Sequence, residues 1–246
     1  MAFFSDIKTV IKDILCPPVC AVCGINSSGF VCRNCAEKIE FLGDDICLRC
    51  GTRIAGGVDK KNQECKICVL CRNEPYSFYR ARSYSIYGRE ISAIIKKFKY
   101  RGLASLKEIL LFFLISAFKN YYCSEEIDYI ETVPEYSGCH PYGGANTCSG
   151  HMMVLADGLS ERLKIPFAGN AIKIKPTHRQ QELDRNLRRS NILDAFKVRN
   201  CLKTQGKNFL LVDDVFTTGW TVNELSKSLK NSGAGRIYVL TIARGI

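Results

Sequence analysis

The chain has 246 residues, 46% hydrophobic and 24% charged, with 35 Lys and Arg against 24 Asp and Glu for a formal net charge of +11. That composition is ordinary for one large or two small globular domains. The most apolar stretch, residues 109–115, falls far short of the roughly 20 residues needed to cross a bilayer, so no membrane span is expected.

In chain order, residues 1–15 place Phe3, Phe4, Ile7, Val10, Ile11, Ile14 and Leu15 near one helical face and predict an amphipathic helix. Asp6, Lys8, Lys12 and Asp13 interrupt it, so it lacks the continuous apolar core of a signal peptide. A cytoplasmic location is expected.

Ten of the 14 cysteines lie between Cys16 and Cys71. Without a secretion signal, that density reads as metal binding rather than disulfides. Cys20/Cys23, Cys32/Cys35 and Cys47/Cys50 are Cys-x-x-Cys knuckles, and Cys65, Cys68 and Cys71 offer two overlapping versions of a fourth. A two-residue spacer lets both thiolates converge on one ion, and Gly24 and Gly51 let the backbone turn after the second cysteine. All-thiolate shells without histidine indicate two structural zinc ions. Joining Cys20/Cys23 to Cys32/Cys35 and Cys47/Cys50 to Cys68/Cys71 gives two consecutive ribbons over residues 16–74. An interleaved arrangement, in which the first and third pairs share an ion, satisfies the same spacing. Cys16 and Cys65 stand as spare or alternative ligands. Cys123, Cys139, Cys148 and Cys201 lack knuckle spacing and read as ordinary, usually buried, thiols.

From residue 75 onward the pattern changes. "FYRARSYSIYG" alternates and predicts a strand or hairpin. "REISAIIKKFKYRG" places Ile91, Ile94, Ile95 and Phe98 on a helical face opposite Lys96, Lys97 and Lys99, and "LASLKEILLFFLISAFKNYY" predicts a second, mostly buried helix. "DYIETVP", "NAIKIK", "NFLLVDD" and "RIYVLTIAR" read as strands; "SGHMMVLADGLSERL" and "TVNELSKSLKNSG" read as helices. Alternation after about residue 120 argues for an α/β fold with a mainly parallel sheet flanked by helices. The excess positive charge falls in residues 80–101, with seven Lys and Arg against one acid, and in residues 173–207, with ten against three. Two basic segments in a slightly acidic background point to an anionic partner, either nucleic acid or a phosphorylated small molecule.

In such a sheet, ligands bind beyond the carboxyl ends of the strands. Asp213 and Asp214 fall there, followed by Thr217, Thr218, Gly219 and Thr221 in the turn into a helix. The amides of that turn and the threonine hydroxyls suit a phosphate, and Gly219 lets the backbone approach it. Paired carboxylates beside a phosphate cradle suit a ligand that also carries sugar hydroxyls or Mg²⁺.

The stretch "LLVDDVFTTGWT" resembles the phosphoribosyl pyrophosphate (PRPP) motif of type I phosphoribosyltransferases. Most of the chain resembles the ComF family (competence protein F, with GntX-like proteins). The resemblance rests on the knuckles, "IKKFKYRG", "VP" at Val133-Pro134, and "THRQQELDRNLRRSNILDAF". It implies a type I phosphoribosyltransferase fold over residues 75–246, with Asp213 and Asp214 contacting ribose and Mg²⁺ and serving as the catalytic candidates. It further implies that residues 213–221, including Val215, Phe216 and Trp220, bind PRPP, and that Val133, Pro134 and Glu135 form the pyrophosphate loop. The segment around residues 177–189 would be a hood over the site. The family carries basic residues after its Val-Pro; here no arginine occurs between Arg101 and Arg162, and His151 stands near the position of a family glutamine. Trp220 stands where the family prefers a small residue; an indole there points outward, stacks on a base, or narrows the site.

Two function classes follow. One is a PRPP-binding, phosphoribosyltransferase-like protein acting in DNA uptake. The other is a protein without chemistry that binds single-stranded DNA through Lys96, Lys97, Lys99, Arg101, Arg179, Arg185, Arg188 and Arg189, or docks a helicase or translocase on its zinc ribbons.

Overall fold

The computed structural model describes residues 19–54, 66–73, 76–101, 106–134, 150–176 and 192–245. The helix expected over residues 1–15, Cys16, Cys65, Glu135, Cys139 and Cys148 lie outside the described residues. So do the hood with Arg179, Arg185, Arg188 and Arg189, and the side chain of Arg101.

The centre is a four-stranded parallel sheet. Its strands are β1 (Arg80–Ile86), β2 (Tyr129–Thr132), β5 (Phe209–Phe216) and β6 (Ile237–Arg244), in the order β1-β6-β5-β2. Phe209 to Val212 are fully buried, because a central parallel strand is covered on both faces and reads as a continuous apolar run. Leu210 and Val212 join one core with Leu110, Leu114, Leu155 and Leu159, from α4 (Leu106–Tyr121) and α5 (His151–Leu163). Phe209 and Leu211 join the other, against Val222, Leu225 and Leu229 of α6 (Trp220–Asn231). The expected helix at "REISAIIKKFKYR" is α3 (Arg89–Arg101); Ile91, Ile94, Ile95 and Phe98 are buried and Lys96 is exposed. The segment read as strand or hairpin is the single strand β1, parallel to β6.

One expected member of the parallel sheet lies elsewhere. β3 (Ala171–Lys173) pairs antiparallel with β4 (Phe196–Val198) in a separate two-stranded sheet. The preceding segment takes the free edge of β2: the Ile130 amide donates to Pro166 O at 2.9 Å and the Ala168 amide to Ile130 O at 2.8 Å. Gly169, at φ +53°, then turns the chain away. The buried Glu131 carboxylate fixes the departure by accepting the Asn170 amide at 2.7 Å and the Ala171 amide at 3.1 Å.

The cysteine-rich part completes the opposite edge. Short helices α1 (Arg33–Ala36) and α2 (Val69–Asn73) carry Cys35 and Cys71. The Ala81 amide of β1 donates to Arg49 O at 2.7 Å, and the Ile86 amide to Glu40 O at 2.8 Å. Without these bonds β1 would present an unpaired strand edge. Among the described residues, no helix is long and apolar enough to cross a membrane. Cys123 and Cys201, expected as buried thiols, are exposed.

Candidate functional site

The cysteines form two sets, Cys20, Cys23, Cys32 and Cys35, and Cys47, Cys50, Cys68 and Cys71, with the sulfurs of each set within 4.8 Å of one another. The consecutive pairing therefore holds and the interleaved one does not. Cys23 and Cys32 sulfurs are 3.8 Å apart, and those of Cys50 and Cys68 are 3.7 Å apart. A tetrahedral zinc with metal–sulfur bonds of about 2.3 Å separates its ligands by about 3.8 Å, so both sets fit the ion. The Cys32 amide donates to Cys20 Sγ at 3.3 Å and the Cys68 amide to Cys47 Sγ at 3.4 Å, bonds that favour thiolates. Both knuckles turn alike: Gly24 (φ +77°) donates to Cys20 O, and Gly51 (φ +70°) to Cys47 O, each at 2.9 Å. Hydrogen bonds from Cys50 and Cys71 hold the Cys47 thiol far below its usual range, while Cys71 is pushed up by Cys47 and Cys50. With all four positions thiolate, zinc at either centre supplies folding energy rather than chemistry.

The second candidate centre lies at the carboxyl end of β5. Asp213 is half-buried and Asp214 is buried. Each carboxylate accepts the next amide: Asp214 N–H donates to Asp213 Oδ1 at 2.9 Å, and Val215 N–H to Asp214 Oδ1 at 2.7 Å. Lys99 Nζ, from α3, forms an ion pair with Asp214 Oδ2. Loss of water around the carboxyl pushes Asp213 up to about 6, while the charges of Lys99 and His151 pull it back. A partly dehydrated carboxylate beside one that already holds a cation suits Mg²⁺ or sugar hydroxyls.

β5 continues to Phe216, so Val215 and Phe216 belong to the strand, and residues 217–219 alone connect it to α6. Gly219 is the N-cap at φ 75° and ψ 2°. An added Cβ there would also collide with the Phe216 ring, so two constraints select glycine. Gly219 has no side chain to accept the first amides of α6, which suits an external anion. The loop is held from outside: the Tyr76 hydroxyl donates to Thr218 O at 2.9 Å, and the Ser77 amide donates to Asn223 Oδ1 at 2.7 Å. Trp220 is half-buried and packs beside Tyr76, with centroids 6.1 Å apart, so its indole turns toward the cysteine-rich part.

β2 and β5 are neighbours in register, with Thr132 opposite Val212, so the chain after β2 lies beside the aspartates. Val133 and Pro134 line a cavity of about 310 Å³ with Thr132, Gly150, Lys173 and Arg199. These two cations reach the loop's surroundings from the β3–β4 side.

Of the predicted basic residues, Lys96 is exposed and Lys97 half-buried, whereas Lys99 turns into the aspartate site. Helix phase contained that signal: Lys99 follows buried Ile95 by four residues and shares its face. Tyr76 and Arg244 carried no motif; the packing of the segment before β1 brings Tyr76 to the loop, and the register of β6 on β5 brings Arg244 there.

Residues 11–72 match the family described as a double zinc ribbon domain, and residues 153–245 match the phosphoribosyl transferase domain. The chain is 28% identical over 231 residues to competence protein F of Haemophilus influenzae, covering 89% of this chain and 99% of the relative. It is 27% identical over 236 residues to DNA utilization protein YhgH of Salmonella typhimurium, covering 93% and 97%. Among solved structures it is similar to the glutamine PRPP amidotransferase from B. subtilis, complexed with ADP and GMP, at TM-score 0.35 and 19% identity; the match covers 71% of this chain and spans 30% of the amidotransferase.

Proposed function

We propose that this chain, which joins a double zinc ribbon to a phosphoribosyltransferase domain and is similar over most of its length to competence protein F of Haemophilus influenzae, binds PRPP with Mg²⁺ at residues 213–221 in support of DNA uptake. One observation carries this reading: two carboxylates at the end of a buried parallel strand stand directly before a glycine-capped helix start. The amides and threonine hydroxyls of residues 217–221 hold the 5′-phosphate. Asp213 and Asp214 hold the ribose hydroxyls and Mg²⁺, which when bound neutralises charge on pyrophosphate. Val133 and Pro134 border the pyrophosphate side. Because the chain after them is poor in cations, Lys173 and Arg199, which line the same cavity, supply positive charge there. Pentosyl transfer to an acceptor is the reaction this arrangement serves, by positioning and charge stabilisation.

Calorimetry with PRPP and Mg²⁺ on the full chain tests this. Binding is expected for the wild type and lost in Asp213→Asn/Asp214→Asn; no binding to the wild type refutes it. A second reading, single-stranded DNA handling with a helicase or translocase docked on the ribbons, is favoured by Lys96 and Lys97 presented together on α3. It predicts DNA affinity that falls steeply with salt, and salt-independent binding rules it out.

A further inference from the structure

The second zinc centre reaches the phosphate loop by two routes. The first runs through Arg244, the last residue of β6, which is only 7% exposed. Its Nη1 donates to Cys50 O at 2.6 Å, and its Nη2 reaches Cys50 Sγ at 3.5 Å. The same guanidinium lies over the ring of Phe216, its register partner on β5, with 4.5 Å to the centroid. That ring lies directly beneath Gly219. The second route runs through Tyr76. Its ring stacks on Phe78 with centroids 4.6 Å apart, it packs against Phe216 and Trp220, and its hydroxyl holds Thr218 O. Cys47, Cys50 and Cys71 share one apolar cluster with Tyr76, Phe216 and Trp220.

A zinc ion among four thiolates leaves a net negative centre, and a buried guanidinium is a suitable partner for it. Take the metal away and the four sulfurs are no longer tied to one point, so Cys50, whose carbonyl and sulfur anchor the Arg244 guanidinium, can shift and the guanidinium moves with it. Moving it removes the support beneath Phe216 and hence beneath the loop. We propose that the Cys47–Cys50–Cys68–Cys71 centre is a positioning device for the phosphate loop, acting through Arg244 and Tyr76, so that zinc there sets the loop's affinity for a 5′-phosphorylated ribose. Arg244 and Tyr76 are positioning residues that touch the loop rather than the ligand. The first centre differs in one ligand: its Cys23 is exposed, whereas the corresponding Cys50 of the second centre is buried, and the other three ligands of each centre match in burial. The inference rests on the phosphate-binding reading of residues 217–221. It adds that zinc and ligand are linked, and linkage is reciprocal.

The test uses the full chain loaded with two zinc ions, a chromogenic chelator in excess, and ribose 5-phosphate as the probe. Trp220 is the only tryptophan in the chain, so its emission reports the loop directly. Zinc should leave in two phases. The fast phase, from the first centre with its exposed Cys23, should leave Trp220 emission unchanged. The slow phase should coincide with an emission change while far-UV circular dichroism keeps its helical signal. Saturating ribose 5-phosphate should slow the slow phase alone. Tyr76→Phe, which removes one hydroxyl, and Arg244→Lys, which keeps the charge but not the planar fork, should still hold two zinc ions. Each should bind ribose 5-phosphate about 5-fold more weakly, the scale of one hydrogen bond, and should lose protection of the slow phase by the same factor. Should Arg244→Lys fail to fold, Tyr76→Phe decides. Unchanged Trp220 emission through both phases overturns the proposal, and so does protection of zinc in the variants equal to wild type. Loss of the helical signal with the slow phase also overturns it, since the centre would then be a folding staple only. If the wild type does not bind ribose 5-phosphate, the phosphate-loop reading falls, and the Trp220 response in the slow phase still decides the coupling.

Discussion

Replacing Asp213 with asparagine should stabilise the ligand-free protein while removing its capacity for Mg²⁺ and PRPP. Burial moves the Asp213 carboxyl from 3.8 to about 6, against the pull of Lys99 and His151. At about 1.4 kcal/mol per tenfold in proton affinity, that displacement amounts to about 3 kcal/mol of unfavourable charge at neutral pH. Its half-buried position allows some solvent screening, which reduces the figure to ~1–2 kcal/mol. The sign follows from a folded value above the unfolded one. Below about pH 4 the group is protonated in both states and costs nothing. As pH rises from about 4 to 6, the unfolded chain ionises first and the fold loses stability; above that the loss is constant. Asparagine keeps an Oδ1 for the Asp214 amide, so the bond at 2.9 Å survives. Urea unfolding in Mg²⁺-free buffer should show Asp213→Asn more stable by ~1–2 kcal/mol at pH 7.5, shrinking to about a third of that at pH 4.5. Added Mg²⁺ and PRPP should raise the stability of the wild type alone. A variant less stable than wild type at pH 7.5, or an advantage independent of pH, would refute the reasoning.

Other changes separate the remaining contributions. Gly219→Ala combines a left-handed backbone with a collision against Phe216; it should cost ~1–3 kcal/mol in thermal melts and abolish ribose 5-phosphate binding. Lys99→Met leaves the buried Asp214 carboxylate without its ion pair. A loss of about 1–3 kcal/mol is expected, with Mg²⁺ restoring melting temperature more in the variant than in wild type. Lys96→Ala with Lys97→Ala should reduce the salt slope of single-stranded DNA binding by about 1.4, at ~0.7 per phosphate contact, while leaving PRPP affinity as in wild type.

Much of the organisation was legible before any coordinates. Cysteine spacing gave eight zinc ligands because a knuckle is a local device: two thiolates and a glycine turn fit within five residues. The strand at Phe209 was legible from its unbroken apolar run, and the helix at Arg89 from Ile91, Ile94, Ile95 and Phe98. Less was legible where one residue's place depends on a distant segment. "NAIKIK" reads as another strand of the parallel sheet, yet the chain around Phe167 occupies the edge it would need, and Glu131 holds Asn170 and Ala171 away. Lys99 reads as one of a run of surface cations, yet it turns to Asp214 from the side of α3 that carries buried Ile95.

The sequence by itself determined which local chemistries exist: cysteine knuckles, a carboxylate pair near a strand end, and a glycine turn into a helix. Each is encoded within a few neighbouring residues, where backbone geometry alone brings the groups together. Tertiary structure decided which cysteine pairs share an ion, which lysine faces the carboxylates, and that Arg244 and Tyr76 join the second zinc centre to the loop. Those contacts span up to 194 positions in the chain. They exist only because the parallel sheet places Arg244 beside Phe216 and the ribbon against the outer edge of β1.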